Sequence, residues 1–261
     1  MIGIFDSGVG GMTVARAVEQ LLPHHPLLYL GDIARTPYGP KSARTIEEYS
    51  MENARFLIDN GAKVIVIACN SASSVATSRL RKEFHVPIFE VITPAVEQAV
   101  SQSVNGKIGV IGTRATIDSG LYKRLIKDKK PNATVISKAC PLLVPLVEEG
   151  WLNKRETKMI LRRYLSFFKD HQIDTLVLGC THYPLLSNLI QHRIGKRVKL
   201  IDSSKATAHF LHQTFMAQNT ILPKPGHTPQ QNKYYVTDLT QTAHSVANII
   251  FNRSIDLIQA Q

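Results

Sequence analysis

Cysteine is scarce in this 261-residue chain: Cys69, Cys140 and Cys180 make an odd, widely spaced set with no CxxC pair. That spacing argues against a disulfide framework and against a thiol-rich zinc site, and favours reduced thiols. No apolar run approaches the roughly 18 residues that a membrane helix needs, so no membrane span is expected. No basic and apolar leader precedes the first strand pattern, Ile2-Gly3-Ile4-Phe5, and the expected compartment is the cytoplasm. Negative charge is short as well, with 20 Asp and Glu against 31 Lys and Arg and a formal net charge of +11. The positive residues are scattered, densest at 123–130 and 154–163, where solvated helix faces account for them. With no helix-turn-helix, finger or aromatic platform beside them, nucleic-acid binding is expected to be non-specific at most. A dinucleotide fingerprint is missing too, because the glycines after the first strand fall at 8, 10 and 11 rather than as GxGxxG.

What the chain has in quantity is alternation: short Val, Ile and Leu runs separated by amphipathic segments, the pattern of a parallel α/β protein. Strands are expected at 2–5, 27–30, 64–69, 87–92, 107–113, 134–137, 175–180, 199–202 and 233–237. Helices are expected at 12–22, 42–60, 73–84, 93–104, 115–127, 153–169, 185–195, 205–215 and 241–251, with Ser203 and Ser204 capping the one at 205. The apolar segment 139–150 carries Pro141 and Pro145 and reads as a loop crossing the interior. Residues 217–232, with Pro223, Pro225, Gly226 and Pro229, read as a further loop.

Two of the strands share a grammar. Val64-Ile65-Val66-Ile67-Ala68-Cys69 and Thr175-Leu176-Val177-Leu178-Gly179-Cys180 each end in a small residue, a cysteine and then polar residues. The opening strand and turn at 2–7 is likewise echoed at 107–113. Such matches point to duplication, with two similar α/β units in a pseudo-twofold relation and the last strand and helix returning to the first unit. In parallel α/β proteins the carboxyl ends of strands carry the chemistry, so two thiols there suggest a site served from two sides.

Each candidate has a plainer explanation. A free cysteine is commonly a small buried hydrophobe, and Cys140, beside Leu142-Leu143-Val144, is read that way. Asp6 and Ser7 could serve only as turn and cap residues, and the Gly8-Val9-Gly10-Gly11 turn could present backbone N–H groups to an anion. Asn70, Ser71, Thr181 and His182 are polar where a buried strand ends, which a purely structural role does not call for. Acyl transfer by one cysteine with His182 as base would leave the other cysteine unexplained.

Taken together, Asp6-Ser7-Gly8-Val9-Gly10-Gly11, Pro37-Tyr38-Gly39, Ala68-Cys69-Asn70-Ser71-Ala72-Ser73 and Gly179-Cys180-Thr181-His182-Tyr183-Pro184-Leu185-Leu186 are similar, in order and spacing, to the motifs of the glutamate racemases in the aspartate/glutamate racemase family. The resemblance covers residues 1 to about 210. Ser71 departs from the threonine usual there but keeps the hydroxyl. The resemblance implies two parallel-sheet α/β domains, 1–92 with 208–261 and 93–207, with the active site in the cleft between them. It implies cofactor-independent interconversion of L- and D-glutamate, supplying D-glutamate for peptidoglycan, with no metal and as a homodimer. Catalytic roles are implied for Cys69 and Cys180, with Asp6 assisting the first, His182 the second, and Glu148 in the cleft, although the sequence does not separate it from its neighbour Glu149. Substrate contacts are implied for Asp6, Ser7, Pro37, Tyr38, Gly39, Asn70, Ser71, Thr113, Thr116, Thr181 and His182. An aspartate racemase is the neighbouring reading, but such relatives usually carry an acidic residue where this chain has His182.

Overall fold

The structure, a computed structural model, describes residues 1–217 and 232–260. Its strands form two sheets, both wholly parallel. The first contains β1 (Ile2–Asp6), β2 (Leu27–Gly31), β3 (Val64–Ile67), β4 (Ile88–Glu90), β9 (Lys233–Val236) and β10 (Leu257–Gln259), in the order β10-β9-β2-β1-β3-β4. The second contains β5 (Lys107–Gly112), β6 (Thr134–Ala139), β7 (Thr175–Gly179) and β8 (Lys199–Asp202), in the order β6-β5-β7-β8. The arrangement β2-β1-β3-β4 thus recurs as β6-β5-β7-β8, and the two cysteine strands, β3 and β7, occupy the same place in each.

Helices cover both faces of each sheet, which is why the central strands are unbroken apolar runs, buried along their whole length. On one face of the first sheet, α1 (Met12–Leu21), α10 (Ser203–Ala217) and α11 (Gln241–Phe251) close a core with Ile2, Ile4, Val64 and Val66. On the other, α2 (Ala43–Asp59) and α3 (Asn70–Glu83) pack on Phe5, Ile65 and Ile67. The second sheet is sandwiched by α4 (Ile92–Gln102) and α6 (Leu121–Lys129) on one side and by α7 (Leu143–Glu148), α8 (Arg155–Lys169) and α9 (Ser187–Ile194) on the other. Helix α10 is continuous through residues 207 and 208. Its Ala206 packs with Ile92, Val177 and Ile201, while Ala208, Leu211 and Phe215 pack under the first sheet.

Several local expectations change. Segment 139–150 is not a loop throughout: α7 forms at Leu143–Glu148, with Pro145 in its first turn, where N–H groups have no intrahelical acceptor to lose. The helix expected at 115–127 is two, α5 (Arg114–Asp118) and α6, broken where Gly120 takes φ +67°. Helix α3 begins at Asn70 rather than Ser73, so Cys69 is its N-cap. Strand β4 stops at Glu90, whose carboxylate accepts from Ile92 N and Thr93 N and starts α4 at once. Ser203 and Ser204 lie inside α10. The capping group there is Asp202, which accepts from Ser204 N at 2.9 Å. Tyr183–Leu186 forms a 3-10 turn before α9, and the short strand β10 was not expected. The loop expected at 217–232 lies, but for its ends, outside the described residues. No described helix is long and apolar enough to cross a membrane.

Candidate active site

Parallel strands aim their carboxyl ends the same way, so β1, β3, β5 and β7 deliver Asp6, Cys69, Thr113 and Cys180 to neighbouring positions. Cys69 and Cys180 line a narrow cleft with Ser7, Thr36, Pro37, Tyr38 and Gly39 from the first sheet's loops, Thr113, Thr181 and His182 from the second's, and Val144 on α7. Asn70 and Ser71, on the first turn of α3, complete it. Each thiol-bearing residue is only 5% exposed.

The two thiols have different surroundings. Cys69 Sγ lies 3.5 Å from Ser7 Oγ. Burial, with the nearby Asp6 charge adding to it, pushes this thiol up to about 12, against the opposing pull of the Ala72 N–H and of Ser7. Cys180 Sγ lies 3.9 Å from His182 Nδ1, and His182 Nε2 lies 3.2 Å from Glu148 Oε1, close enough for an ion pair but off hydrogen-bond alignment. Burial alone would strip the imidazole of its proton. Cys180 and Glu148 outweigh it and raise the ring to about 10, so His182 is an imidazolium at neutral pH. Glu148 closes α7 and faces His182, whereas Glu149 is exposed.

Asp6 is fully buried. Its Oδ2 accepts from the N–H groups of Gly8 and Gly11, each at 3.0 Å, and its Oδ1 from Thr181 Oγ1 at 3.4 Å. Burial raises its pKa, and His182, the two backbone donors and Thr181 oppose the rise. The carboxylate therefore reaches across to the Cys180 side, while the hydrogen-bonding neighbour of Cys69 is Ser7. The glycine turn is shaped by this approach. A Cβ on Gly10 would sit 2.4 Å from His182 Nδ1, and one on Gly11 2.3 Å from Asp6 Cβ.

The remaining candidates form two groups. Ser71 Oγ is 2.8 Å from Thr113 Oγ1, which is 3.0 Å from Thr116 Oγ1, so Thr116 stands behind the cleft wall rather than in it. Tyr38 donates its hydroxyl to Asp32 and accepts from Asn53 Nδ2, and Gly39 O accepts from Ala115 N across the cleft. These contacts fix the Pro37-Tyr38-Gly39 loop as one wall. Asn70 Oδ1 accepts from the Tyr122 hydroxyl at 2.7 Å, while its Nδ2 is buried with no partner among the described residues. A buried donor left open at a cleft is a place for an acceptor on a ligand. Thr36 and Val144 also line the cleft and were not expected. Thr36 only precedes the Pro37 motif, and Val144 was hidden in the segment read as a loop.

Cys140 is buried away from the cleft lining. Its thiol is pushed up to about 12 by burial, and its backbone carbonyl accepts from the Tyr183 hydroxyl, in keeping with a packing role.

Residues 12–211 match the family model described as Asp/Glu/Hydantoin racemase. The glutamate racemase of Persephonella marina is 45% identical over 256 residues, covering 98% of this chain and 95% of its own. Among solved structures, a glutamate racemase of Bacillus anthracis superposes with a TM-score of 0.95 at 32% identity, covering 100% of this chain and 97% of that one. The glutamate racemase of Francisella tularensis in complex with D-glutamate superposes at 0.91 with 36% identity and the same coverage. Sequence, fold and the residues gathered at the strand ends agree: the chain belongs to the Asp/Glu/Hydantoin racemase family and is an isomerase of its glutamate racemase branch.

Proposed function

We propose that this chain interconverts L- and D-glutamate without a cofactor, using Cys69 and Cys180 as an acid and base on opposite faces of Cα. The observation that carries this reading is the pair of thiols, which leave equivalent strands of separate sheets and line one cleft. The D-glutamate bound to the Francisella tularensis relative supports the substrate. Inversion needs a proton removed from one face and another delivered to the opposite face. With L-glutamate, Cys180 takes the proton and Cys69 supplies one. With D-glutamate the roles exchange, and each turnover leaves the pair ready for the reverse reaction.

The surroundings suit these roles. The Cys69 thiol, with its raised pKa, keeps its proton at neutral pH until a carbanion-like centre beside it can accept it. His182, protonated and 3.9 Å from Cys180 Sγ, is a proton carrier for that side, and Glu148 holds the imidazolium in place. Charge developing on the substrate carboxylate is met by the open Asn70 Nδ2–H, by the Ser71 and Thr113 hydroxyls and by the first turn of α3, in a cleft that admits little water. We assign residues 1–92 with 208–261, and 93–207, to the two domains, on the strength of sheet membership. The product D-glutamate would serve peptidoglycan synthesis.

The test is direct. Purified protein with nothing added converts each glutamate enantiomer into the other and exchanges the Cα hydrogen with deuterated solvent. Folded protein that does neither across neutral and mildly alkaline pH contradicts the proposal.

A further inference from the structure

We propose that Tyr122 is a positioning residue for the reaction: its hydroxyl holds the Asn70 carboxamide with Oδ1 toward the tyrosine, so that Nδ2 is left as the donor for the substrate. The inference rests on the racemase reading and deepens it.

Tyr122 belongs to α6 of the second sheet's layer, Asn70 to α3 of the first, so the 2.7 Å hydrogen bond between them spans the two halves of the cleft. The direction of that bond decides the chemistry. A carboxamide has one accepting end and one donating end, and turning it over exchanges them. If Nδ2 pointed at Tyr122, the phenol O–H would be buried with no acceptor among the described residues, and Asn70 Oδ1 would face the cleft. With Oδ1 on Tyr122 the phenol proton is satisfied, and the polar atom of this pair left without a partner among the described residues is Nδ2, on a residue that lines the cleft. Tyr122 is only 2% exposed and stays a donor. Burial foremost, then the Glu90 carboxylate and Cys180, hold its pKa well above the ordinary value, so the proton remains through the working pH range.

The tyrosine also touches the other side of the chemistry. A Cβ on Gly179, the residue before Cys180, would lie 3.2 Å from Tyr122 Cε2, so the ring rests against the end of β7. One side chain thereby gauges the spacing between the strand end that presents Cys180 and the helix turn that follows Cys69.

The experiment is a four-way comparison of wild type, Tyr122→Phe, Asn70→Ala and the double variant, by steady-state kinetics with both enantiomers and by calorimetric D-glutamate affinity. Tyr122→Phe keeps the ring and loses the hydrogen bond. We expect KM and Kd to rise by about fivefold to tenfold for either enantiomer, the size of one lost neutral hydrogen bond, with a smaller fall in kcat. Asn70→Ala costs at least as much, and adding Tyr122→Phe to it changes KM and Kd by less than about twofold, because the tyrosine acts through the missing amide. Independent, multiplying effects of the two substitutions overturn the inference, as does a Tyr122→Phe loss confined to kcat with Kd unchanged. If Tyr122→Phe does not fold, the wild-type complex with D-glutamate decides. A carboxylate oxygen within hydrogen-bond distance of the Asn70 side chain supports the assignment, and the ammonium nitrogen there overturns it. A wild-type protein that binds glutamate but never racemises it contradicts the racemase reading alone, and the binding comparison still judges Tyr122.

Discussion

At the scale of single residues, His182 sets the pH behaviour. Its ring holds a proton to about pH 10 in the folded protein, whereas an unfolded ring releases it near 6.5. The stabilisation is therefore complete below about 6.5, declines above it and is gone past about 10, so the melting temperature should fall across that interval. Glu148→Gln removes one of the two supports of the imidazolium, and its melting temperature should fall less steeply with pH than that of the wild type. Parallel curves would show that the Glu148 contact at 3.2 Å carries no charge coupling. Gly10→Ala tests packing at the same ring. The added methyl lands on His182 and Thr181 Oγ1, an overpacking of about 1–3 kcal/mol that should lower the melting temperature and reduce kcat below those of the wild type. Equal activity of the Gly10 variant and the wild type would contradict that geometry. Most of these residues were legible in the sequence, because polar side chains directly after a buried strand need a reason to be there. The partner of Asp6 was not, since Thr181 reaches it through folding and not through sequence proximity.

At the scale of elements, the cleft depends on helix beginnings. Thr113 caps α5 by accepting from Thr116 N and at the same time ties α5 to Ser71 at the start of α3. Thr113→Val keeps the shape and loses these bonds together with the one to Thr116 Oγ1. It should cost about 1–2 kcal/mol of stability, read by denaturant unfolding, and raise KM for glutamate. An unchanged unfolding midpoint would mean that the hydroxyl cluster is not part of the scaffold. Strand positions were readable because parallel strands buried on both faces leave continuous apolar runs. Helix starts were less so. Two prolines concealed α7, although Pro145 sits where a first turn tolerates it, and α3 begins three residues early, with Cys69 at its N-cap position and no side-chain capping bond to announce it. Both misreadings fall at the cleft, where side chains are chosen for contact with a substrate as well as for local propensity.

At the scale of the whole molecule, the repeated order β2-β1-β3-β4 and β6-β5-β7-β8 explains why two short sequence echoes were a sound guide to architecture. What the echoes did not contain is the closing of the first sheet by β9 and β10, which has no counterpart in the second among the described residues. The formal charge of +11 belongs to this scale too. Binding to duplex DNA should weaken steeply and equally for every sequence as salt rises, by counterion release alone, and retention of one sequence at physiological salt would contradict a purely non-specific role. The central claim is that the two halves of the molecule present one thiol to each face of Cα, and isolated half-reactions test it most directly. Glutamate analogues with a leaving group at Cβ can lose the Cα proton and that group without a proton arriving from the opposite face, so one thiol suffices. Cys69→Ser and Cys180→Ser should both fail to racemise glutamate. Cys69→Ser should still eliminate from the L analogue through Cys180, and Cys180→Ser from the D analogue through Cys69, both followed by release of the leaving group. Elimination from the same enantiomer at equal rates by both variants, or full racemase activity in either, would contradict the account.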